Sequence, residues 1–279
     1  MGHDHGGDEH SHNESMEAFL EKKALLDRMK AIGKKIIVLS GKGGVGKSTV
    51  SANLAYALAA AGKRVGLLDV DIHGPSIPRL LGLDGMRALN DGDGILPVEY
   101  DSKLKVMSVG FLLEDPDAAV IWRGPLKMNL IKQFLKDVKW GELDFLIVDC
   151  PPGTGDEQLS AIQLIGSGAS AVIVTTPQAL SIVDVRKCVT FCQQMKLPIL
   201  GVIENMSGFV CPHCGQTTDI FKSGGGEAMA ADMGIPFLGR APLDPELVIA
   251  GDDGESYLEK KKDSPTAKAF RAAIEPLLK

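Results

Sequence analysis

The feature that most constrains this chain is a glycine-rich segment, Gly41-Lys42-Gly43-Gly44-Val45-Gly46-Lys47-Ser48, which fits the pattern G-x-x-x-x-G-K-[ST]. It follows a short β-branched run, Lys35–Ser40, and leads into a helical pattern over Gly46–Ala61 that ends at Gly62. A strand, a glycine-rich turn and a helix in this order predict a phosphate-binding loop, or P-loop. The glycines let backbone amides surround phosphate oxygens, and the start of the helix adds the positive end of its dipole.

The residues of this loop have distinct predicted roles. Lys47 is expected to reach the terminal phosphates of a nucleotide, and the Ser48 hydroxyl is expected to hold Mg²⁺. The other residues predicted to bind the nucleotide from this segment are Gly41, Lys42, Gly43, Gly44, Val45, Gly46 and Thr49.

Two acidic motifs follow apolar strands further along the chain. Asp69 and Asp71 end the run Val65–Asp71, and Asp149 ends Phe145–Asp149. We expect both strands to flank the P-loop strand, so that their tips aim carboxylates at the nucleotide. An aspartate directly after an apolar strand is the Walker B pattern, which predicts that Asp149 supports the magnesium shell. A turn-capping aspartate is the alternative at each position.

The choice of base is indicated by Asn205, which follows a predicted strand over Ile199–Glu204. A guanine reader needs a carboxylate that accepts from N1 and the exocyclic amine of the base. No Lys-x-Asp follows Asn205. The sequence therefore favours ATP over GTP.

The rest of the chain alternates apolar strands with helical patterns. Further strands are predicted at Arg64–Val70, Leu104–Val109, Leu143–Val148 and Ala169–Thr175, and further helices at Leu126–Val138, Glu157–Ile165 and Leu180–Met195. This order predicts an α/β fold, a mostly parallel sheet with helices on both faces and with ligands at the carboxyl ends of the strands.

The ends of the chain complete the predicted organisation. Residues 14–279 are expected to form one P-loop domain, with a first helix over Glu14–Ile32 and a last helix over Ser264–Leu278 that is interrupted at Pro276. Residues 1–13 hold four of the six histidines among Asp, Glu and Gly, a composition that predicts a disordered tail. Capture of a metal ion by these imidazoles and carboxylates is the alternative.

Composition excludes several classes of function. Thirty basic against 36 acidic side chains give a net charge of −6, which argues against general nucleic-acid binding. The apolar runs are far shorter than the ~20 residues of a membrane helix. The polar N-terminus lacks the apolar core of a secretion signal. We therefore expect a cytoplasmic protein that binds neither nucleic acid nor a membrane.

The chain has five cysteines, an odd number that is too small for a disulfide framework. These cysteines suit metal or redox chemistry better. Cys211-Pro212-His213-Cys214-Gly215 is a C-x-x-C at a turn shaped by Gly and Pro, a geometry that presents two thiolates to one metal. Cys150, Cys188 and Cys192 are expected to be buried cysteines of the core.

Two thiolates do not complete a metal site, because Zn²⁺ and a [4Fe-4S] cluster both prefer four ligands. A second copy of Cys211 and Cys214 from a symmetric partner would supply the missing two. A redox dithiol and an inert turn are the alternatives for this motif.

The lysine at the second position of the P-loop makes a first resemblance specific. Lys42–Ser48 resembles the deviant Walker A motif of the MinD, ArsA and nitrogenase iron-protein class. In that class the extra lysine contacts nucleotide phosphates across a homodimer, which implies this role for Lys42. The resemblance also implies that Asp71 positions or activates the attacking water and that Asn205 contacts adenine.

The motifs taken together resemble those of the Mrp/ApbC family, P-loop ATPases that carry iron–sulfur clusters. These motifs are the deviant P-loop, Asp69–Ser76, Trp122–Pro125, Asp149–Asp156, Glu204–Ser207 and Cys211–Cys214, within a similarity that spans about residues 34–279. The resemblance implies a homodimeric, Mg²⁺-dependent ATPase of low turnover that binds a labile [4Fe-4S] cluster through Cys211 and Cys214. The implied partners are apo iron–sulfur proteins and cluster-assembly scaffolds.

Two other functions are compatible with the motifs. One is a MinD-like nucleotide switch that positions a partner, with structural zinc on the cysteines. It would favour a membrane-binding amphipathic tail, for which Ala267–Leu278, containing Pro276, is poorly suited. The other is an electron donor like the nitrogenase iron protein, whose ligands are widely separated in sequence, unlike Cys211 and Cys214.

Overall fold

The computed structural model describes residues 7–113, 124–211 and 213–279, with side chains from Met16 onward. Its strands are β1 (Ile32–Ser40), β2 (Val65–Asp69), β3 (Leu89–Asn90), β4 (Ile95–Leu96), β5 (Val98–Glu99), β6 (Leu104–Ser108), β7 (Leu143–Asp149), β8 (Ala169–Thr175), β9 (Ile199–Glu204), β10 (Phe209–Val210), β11 (Thr217–Thr218) and β12 (Phe237–Arg240). Its helices are α1 (Gly7–Lys30), α2 (Lys47–Ala60), α3 (Ile77–Leu80), α4 (Gly124–Lys136), α5 (Asp156–Ile165), α6 (Ala179–Gln194), α7 (Gly225–Asp232), α8 (Pro245–Asp252), α9 (Tyr257–Lys260) and α10 (Pro265–Leu278).

Eight of the strands in this part of the chain form one sheet, in the order β12-β9-β8-β1-β7-β2-β6-β5. All neighbours in it are parallel except β5 and β6, which pair antiparallel. Helices pack against the sheet. The predicted mostly parallel α/β fold is confirmed.

The central strands are apolar along most of their length because they are covered on both faces. In β1, residues Ile36–Leu39 have no exposed surface, and β2 is buried from Val65 to Asp69. Helix α2 packs on β1, β2 and β7, and its many alanines allow this close approach. Helices α9 and α10 lie against α2, whereas α1, α4 and α5 contact one another.

The order of the strands corrects one expectation. Strand β7, which ends at Asp149, does flank β1, but β2, which ends at Asp69, pairs with β7 and β6 and not with β1. The two acidic tips are direct neighbours, with Asp69 opposite Asp149 in the register. Apolar patterns identify strands but do not fix their order in a sheet. For this reason the sequence analysis placed β2 beside β1, one position too close.

The first helix differs from its predicted bounds at both ends. Helix α1 begins at Gly7 and ends at Lys30, and Ile32 already belongs to β1. The backbone of residues 7–13 is therefore helical, where composition predicted a disordered tail. Residues 1–6 lie outside the described residues, so the tail stays a prediction there. The helix is held to the body by buried Leu25 and Met29 and by the pairing of Glu21 with Lys132 and Lys136.

Helix α10 continues through Pro276 to Leu278, so the predicted interruption there is wrong. Proline in the last turn removes one backbone hydrogen bond, and the helix ends two residues later in any case. Buried Phe270, Ile274 and Leu277 hold this face of the helix in the core. No helix in the described ranges is long and apolar enough to cross a membrane.

Candidate functional site

The P-loop lies between β1 and α2, as the sequence predicts. Gly44 and Gly46 have φ values of 78° and 79°, a left-handed backbone that favours glycine. A Cβ at Gly46 would overlap the side-chain amide of Asn205, so glycine is also required there by close packing. Gly46 is the N-cap of α2, which leaves the first amides of that helix pointing into the loop.

A buried network joins the P-loop to the tip of β7. Lys47 Nζ lies 2.7 Å from Asp149 Oδ1, and the Ser48 hydroxyl donates to Asp149 Oδ2 at 2.6 Å. The Ser51 hydroxyl, one turn along α2, donates to Asp149 Oδ1 at 2.6 Å. Lys47 is 6% exposed and Asp149 is fully buried. Three side chains from the P-loop and α2 thus surround one carboxylate that lies 98 or more residues further along the chain.

The carboxylate of Asp69 faces this network from β2. It is fully buried, accepts a hydrogen bond from the Ser108 hydroxyl at 3.1 Å and accepts another from the Asp71 amide at 3.0 Å. Burial and the nearby charge of Asp149 raise the pKa of Asp69 to about 8. Asp69 is therefore a structural carboxyl group beneath the site.

Asp71 is better placed to meet a ligand. It lies beyond the end of β2, is partly exposed and borders the cleft described below. Burial raises the pKa of Asp71, and the charge of Lys47 opposes that rise. The Gly74 amide donates to Asp71 Oδ1 at 3.3 Å, which orients the carboxylate.

Lys42 differs from Lys47 in having no partner of its own. Its ammonium makes no hydrogen bond or ion pair with the described residues, although its stem is half-buried. Its backbone is fixed, because the Lys42 carbonyl accepts from the Ser40 hydroxyl at 3.0 Å. The preceding Gly41 packs against the backbone of Asp184 in α6, where a Cβ would overlap.

The loop borders two adjoining clefts. One, of about 330 Å³, is lined by the P-loop and by Asp71, Gly74, Ser76 and Pro152. The other, of about 180 Å³, is lined by Gly46, Thr49, Asn205, Met206 and residues of α8 and the segment before it. Gly46, Thr49 and Leu80 belong to both. The first cleft presents Lys42 and Lys47 to a ligand, and the second combines apolar side chains with the Asn205 amide and the carboxylates of Asp244 and Asp252.

Asn205 joins the second cleft to the P-loop. Its Nδ2 donates to the Val45 carbonyl at 2.9 Å, and the side chain is 5% exposed. The structure therefore brings Asn205 to the nucleotide loop from a strand 160 residues away in sequence.

The cysteine pair lies in a short hairpin of β10 and β11, which the sequence analysis did not identify. The Cys211 amide donates to the Gln216 carbonyl at 2.9 Å, and the Gly215 amide donates to the Cys211 carbonyl at 2.9 Å. Cys214 is exposed and Cys211 is partly exposed. The amides of Cys214 and His213 donate to the Cys211 sulfur and lower the pKa of Cys211, which favours its thiolate. Pro212 lies outside the described residues.

The other three cysteines are fully buried, as predicted. The hydrogen bond with Cys192 and burial raise the pKa of Cys188, and burial raises the pKa of Cys150.

Several residues of the site were missed by the sequence analysis. Trp122 and Arg123, which contributed to the resemblance, lie outside the described residues. The structure adds Ser51, Ser108, Lys127 and Glu157. It also gives contacts to Glu204 and His73, which the sequence showed only as members of motifs. Lys127 Nζ lies 2.6 Å from both His73 Nε2 and Glu157 Oε1, so it ties the loop after β2 to the start of α5. Lone polar residues without a motif give no signal of this kind in a single sequence.

Known proteins are similar to the chain over most of its length. It is 53% identical over 248 residues to the cytosolic Fe-S cluster assembly factor NUBP2 of Bos taurus, which covers 87% of this chain and 91% of that protein. It is 52% identical over 256 residues to the NUBP2 homolog of Trichoplax adhaerens, covering 89% and 97%.

Solved structures resemble it over similar lengths. A nucleotide-binding protein from Archaeoglobus fulgidus in complex with ADP has a TM-score of 0.74 and 42% identity, covering 84% of this chain and 91% of that one. The septum site-determining protein MinD of Pyrococcus horikoshii, complexed with Mg-ADP, has a TM-score of 0.65 and 27% identity, covering 88% and 96%.

A family model described as the NUBPL iron-transfer P-loop NTPase of the ParA group matches residues 31–278. The resemblance to iron–sulfur P-loop ATPases with a MinD-like fold is thereby confirmed. Because the match spans nearly the whole described domain, the chain belongs to the ParA/NUBPL family of iron-transfer P-loop NTPases.

Proposed function

We propose that this chain is an Mg²⁺-dependent ATPase of low turnover that carries a labile [4Fe-4S] cluster between two copies of itself and delivers it to apo-proteins. The observation that supports it most is the hairpin of Cys211 and Cys214. It presents two thiols at an exposed position, while the described residues contain no group of three or more His, Cys, Asp or Glu that could hold a metal ion. One chain therefore offers half of a ligand set.

Nucleotide and Mg²⁺ suit the residues around the P-loop. Hydroxyl and carboxylate oxygens are ligands that Mg²⁺ prefers, and Ser48 and Asp149 lie 2.6 Å apart. Lys47 neutralises Asp149 in the present arrangement. We expect it to turn toward the terminal phosphates when a nucleotide is bound, with Mg²⁺ taking over the charge of Asp149.

Asn205 and the second cleft are proposed to hold the base. The amide of Asn205 offers both a donor and an acceptor, which suits adenine, and Gly46 leaves room for close approach. Structural relatives are described as complexes with ADP or Mg-ADP, which accords with an adenine nucleotide here.

Hydrolysis is proposed to use Asp71 and Lys42. Asp71 borders the phosphate cleft and has a pKa raised by burial, which makes its carboxylate a stronger base for orienting and deprotonating water. Lys42 lines the same cleft, and its ammonium is not paired with any residue that the structure describes. A second copy of the chain gives that ammonium a partner, the phosphates across the dimer.

The cluster is cargo, held by Cys211 and Cys214 of each chain. A [4Fe-4S] cluster takes one ligand per iron, so two chains related by a two-fold axis supply the four thiolates. Exposure of Cys214 makes the cluster accessible to an acceptor, and the lowered pKa of Cys211 favours the ligating form.

Partners and compartment follow from the same proposal. The NUBP2 relatives are named cytosolic Fe-S cluster assembly factors. We place this chain in the cytoplasm, with apo iron–sulfur proteins and cluster-assembly scaffolds as its partners. The net charge of −6 gives no support for a nucleic-acid partner.

Anaerobic reconstitution with ferrous iron and sulfide tests the proposal. The protein should develop the visible absorption of an iron–sulfur cluster, contain iron and sulfide in equal amounts, and activate an apo [4Fe-4S] enzyme when mixed with it. Cys211→Ala with Cys214→Ala should lose the chromophore and still bind ATP, because the P-loop is a separate segment.

Cys188→Ala with Cys192→Ala is the matched control, because it also removes two thiols but both lie in the core. It should retain the cluster. Bound zinc without a chromophore would contradict the proposal and favour a nucleotide switch with structural zinc.

A further inference from the structure

The segment that bears the cysteines is joined to the domain through a narrow neck. We define the cysteine lobe as residues 208–222, and the neck as Ser207 on one side and Ser223 with Gly224 on the other. The two serine hydroxyls lie 3.2 Å apart. The lobe is also fixed at its start, where the Leu243 amide donates to the Gly208 carbonyl at 2.8 Å.

One buried carboxylate closes this neck. Glu204, the last residue of β9, has no exposed surface. It accepts from the Ser207 hydroxyl at 2.5 Å, from the Gly224 amide at 2.8 Å and from the Gly226 amide. Both sides of the neck are therefore bonded to the same side chain, which holds the two ends of the cysteine lobe together.

The next residue along the chain serves the nucleotide site. Asn205 donates to the Val45 carbonyl of the P-loop and borders the cleft proposed for the base. Glu204 and Asn205 are thus consecutive residues, one bonded to the cysteine lobe and the other to the nucleotide loop. A displacement of one is transmitted to the other by a single peptide unit.

The backbone at the neck is strained. Among the described residues, the non-glycine positions with positive φ are Lys196, Met206 and Lys222, and the last two lie at either end of the lobe. Met206 has a φ of 56° and Lys222 a φ of 70°. A left-handed conformation at non-glycine residues is sparsely populated and persists where surrounding contacts enforce it. Here the nearby residues Ser207 and Gly224 are both bonded to Glu204.

We propose that Glu204 is a positioning residue that couples nucleotide binding at Asn205 to the geometry of Cys211 and Cys214. A nucleotide in the base cleft forms a hydrogen bond with the Asn205 amide and shifts this side chain. The shift changes the backbone at Met206 and thereby the position of Ser207 in the neck. Through this coupling, the nucleotide state changes how firmly Cys211 and Cys214 hold the cluster. The inference rests on the proposed function, because it takes the cluster as the ligand of these cysteines.

The test uses the full chain without iron or zinc, in reductant, and measures how fast iodoacetamide alkylates Cys214. Mass spectrometry of peptides resolves each cysteine, and buried Cys188 and Cys192 serve as unreactive references. Mg²⁺ with a non-hydrolysable ATP analogue should change the rate at Cys214 by about threefold or more in the wild-type protein. An unchanged rate at saturating analogue overturns the proposal.

Ser207→Ala removes one side of the clamp without touching the nucleotide site. It should bind the analogue with wild-type affinity, yet lose most of the change in alkylation rate. Ser207→Thr retains the hydroxyl and should restore the change. Ser223→Ala removes the hydroxyl on the other side of the neck, which bonds Ser207 and not Glu204, and should respond like wild type.

Glu204→Gln adds a second variant, which keeps the shape but loses the full charge toward the Gly224 and Gly226 amides. If it folds, it should be uncoupled like Ser207→Ala. A wild-type response in Ser207→Ala overturns the role of the clamp. The readout needs no cluster, so a chain that shows the coupling but fails reconstitution would refute the proposed cargo and leave the coupling intact.

Discussion

At the scale of single residues, the two lysines of the P-loop have different surroundings. Lys47 is paired with buried Asp149, whereas Lys42 has no partner among the described residues. Removing one partner of a buried ion pair leaves an uncompensated charge and costs about 3–5 kcal/mol. Removing an unpaired surface charge changes stability by no more than about 0.5 kcal/mol.

We therefore expect Lys47→Ala to abolish ATP binding and to lower the free energy of unfolding by about 3 kcal/mol. Lys42→Ala should keep ATP binding and the free energy of unfolding near wild type. It should hydrolyse ATP about tenfold more slowly, a loss of about 1.4 kcal/mol in transition-state stabilisation. Calorimetric titration, denaturant unfolding and a phosphate-release assay distinguish the two. Unchanged turnover in Lys42→Ala would refute its role across the dimer.

Asp71→Asn should leave ATP bound and slow hydrolysis by about 100-fold, because it removes a basic carboxylate and retains the shape. Measuring the dissociation constant of ATP and Mg²⁺ beside the turnover rate separates the two effects. Equal losses of binding and turnover would indicate that Asp71 ligates the metal instead.

The raised pKa of Asp69 leads us to expect that the stability of the fold depends on pH. Its pKa is about 8 in the folded protein against 3.8 for the free group. The folded state thus holds a proton that the unfolded chain has released. Its contribution to stability is complete below pH 3.8 and is lost as pH rises toward about 8. The slope in this window is up to about 1.4 kcal/mol per pH unit.

Asp69→Asn cannot titrate, and Ser108 can accept a hydrogen bond from its amide. The unfolding free energy of wild type relative to this variant should therefore decline from pH 5 to pH 8, measured in denaturant without nucleotide. A difference that stays constant over this range would show that Asp69 is ionised throughout.

At the scale of elements, the sequence predicts what a local pattern encodes. Strand β8 and strand β9 have their predicted bounds, and helices such as α6 differ by one residue, because apolar periodicity extends over the whole element. The hairpin of β10 and β11 has two residues in each strand, too few for a period to be visible. Tertiary packing decides such elements, and it also sets the order of β2 and β7.

The sequence likewise predicts the site residues that belong to local motifs and misses those placed by tertiary packing. Lys47, Ser48 and Asp149 were predicted to converge because each belongs to a motif with a fixed position at a strand or helix end. Ser51 lies one turn further along α2, and its bond to Asp149 depends on how α2 packs on β7. Glu204 was seen only as part of a motif, since its bonds to Gly224 and Gly226 span a lobe whose fold the sequence does not reveal.

Deletion of residues 1–13 tests how much the first helix depends on its N-terminal part. The described contacts that hold α1 to the domain include those of Glu21, Leu25 and Met29. We expect the truncated chain to unfold within about 0.5 kcal/mol of the full chain and to keep its ATPase and its cluster. A truncated protein that no longer retains iron would assign the histidines a role.

At the scale of the whole molecule, the proposed nucleotide site lies along one edge of the sheet. The P-loop follows β1, Asp149 ends β7 and Asn205 follows β9, all at the carboxyl ends of parallel strands. Among the described residues the Lys42 ammonium has no partner, and Cys211 with Cys214 supplies two of the four thiolates that the proposed cluster needs. In the proposed function a two-fold partner completes both sites.

The stoichiometry of the reconstituted protein tests the proposed dimer most directly. Native mass spectrometry under anaerobic conditions gives the number of chains and the number of iron and sulfide ions in one particle. The account predicts a dimer with a single [4Fe-4S] cluster, four irons for two chains, that reverts to a cluster-free state in the Cys211→Ala, Cys214→Ala double variant. Four irons on a monomer, or an undiminished cluster in the double variant, would contradict it.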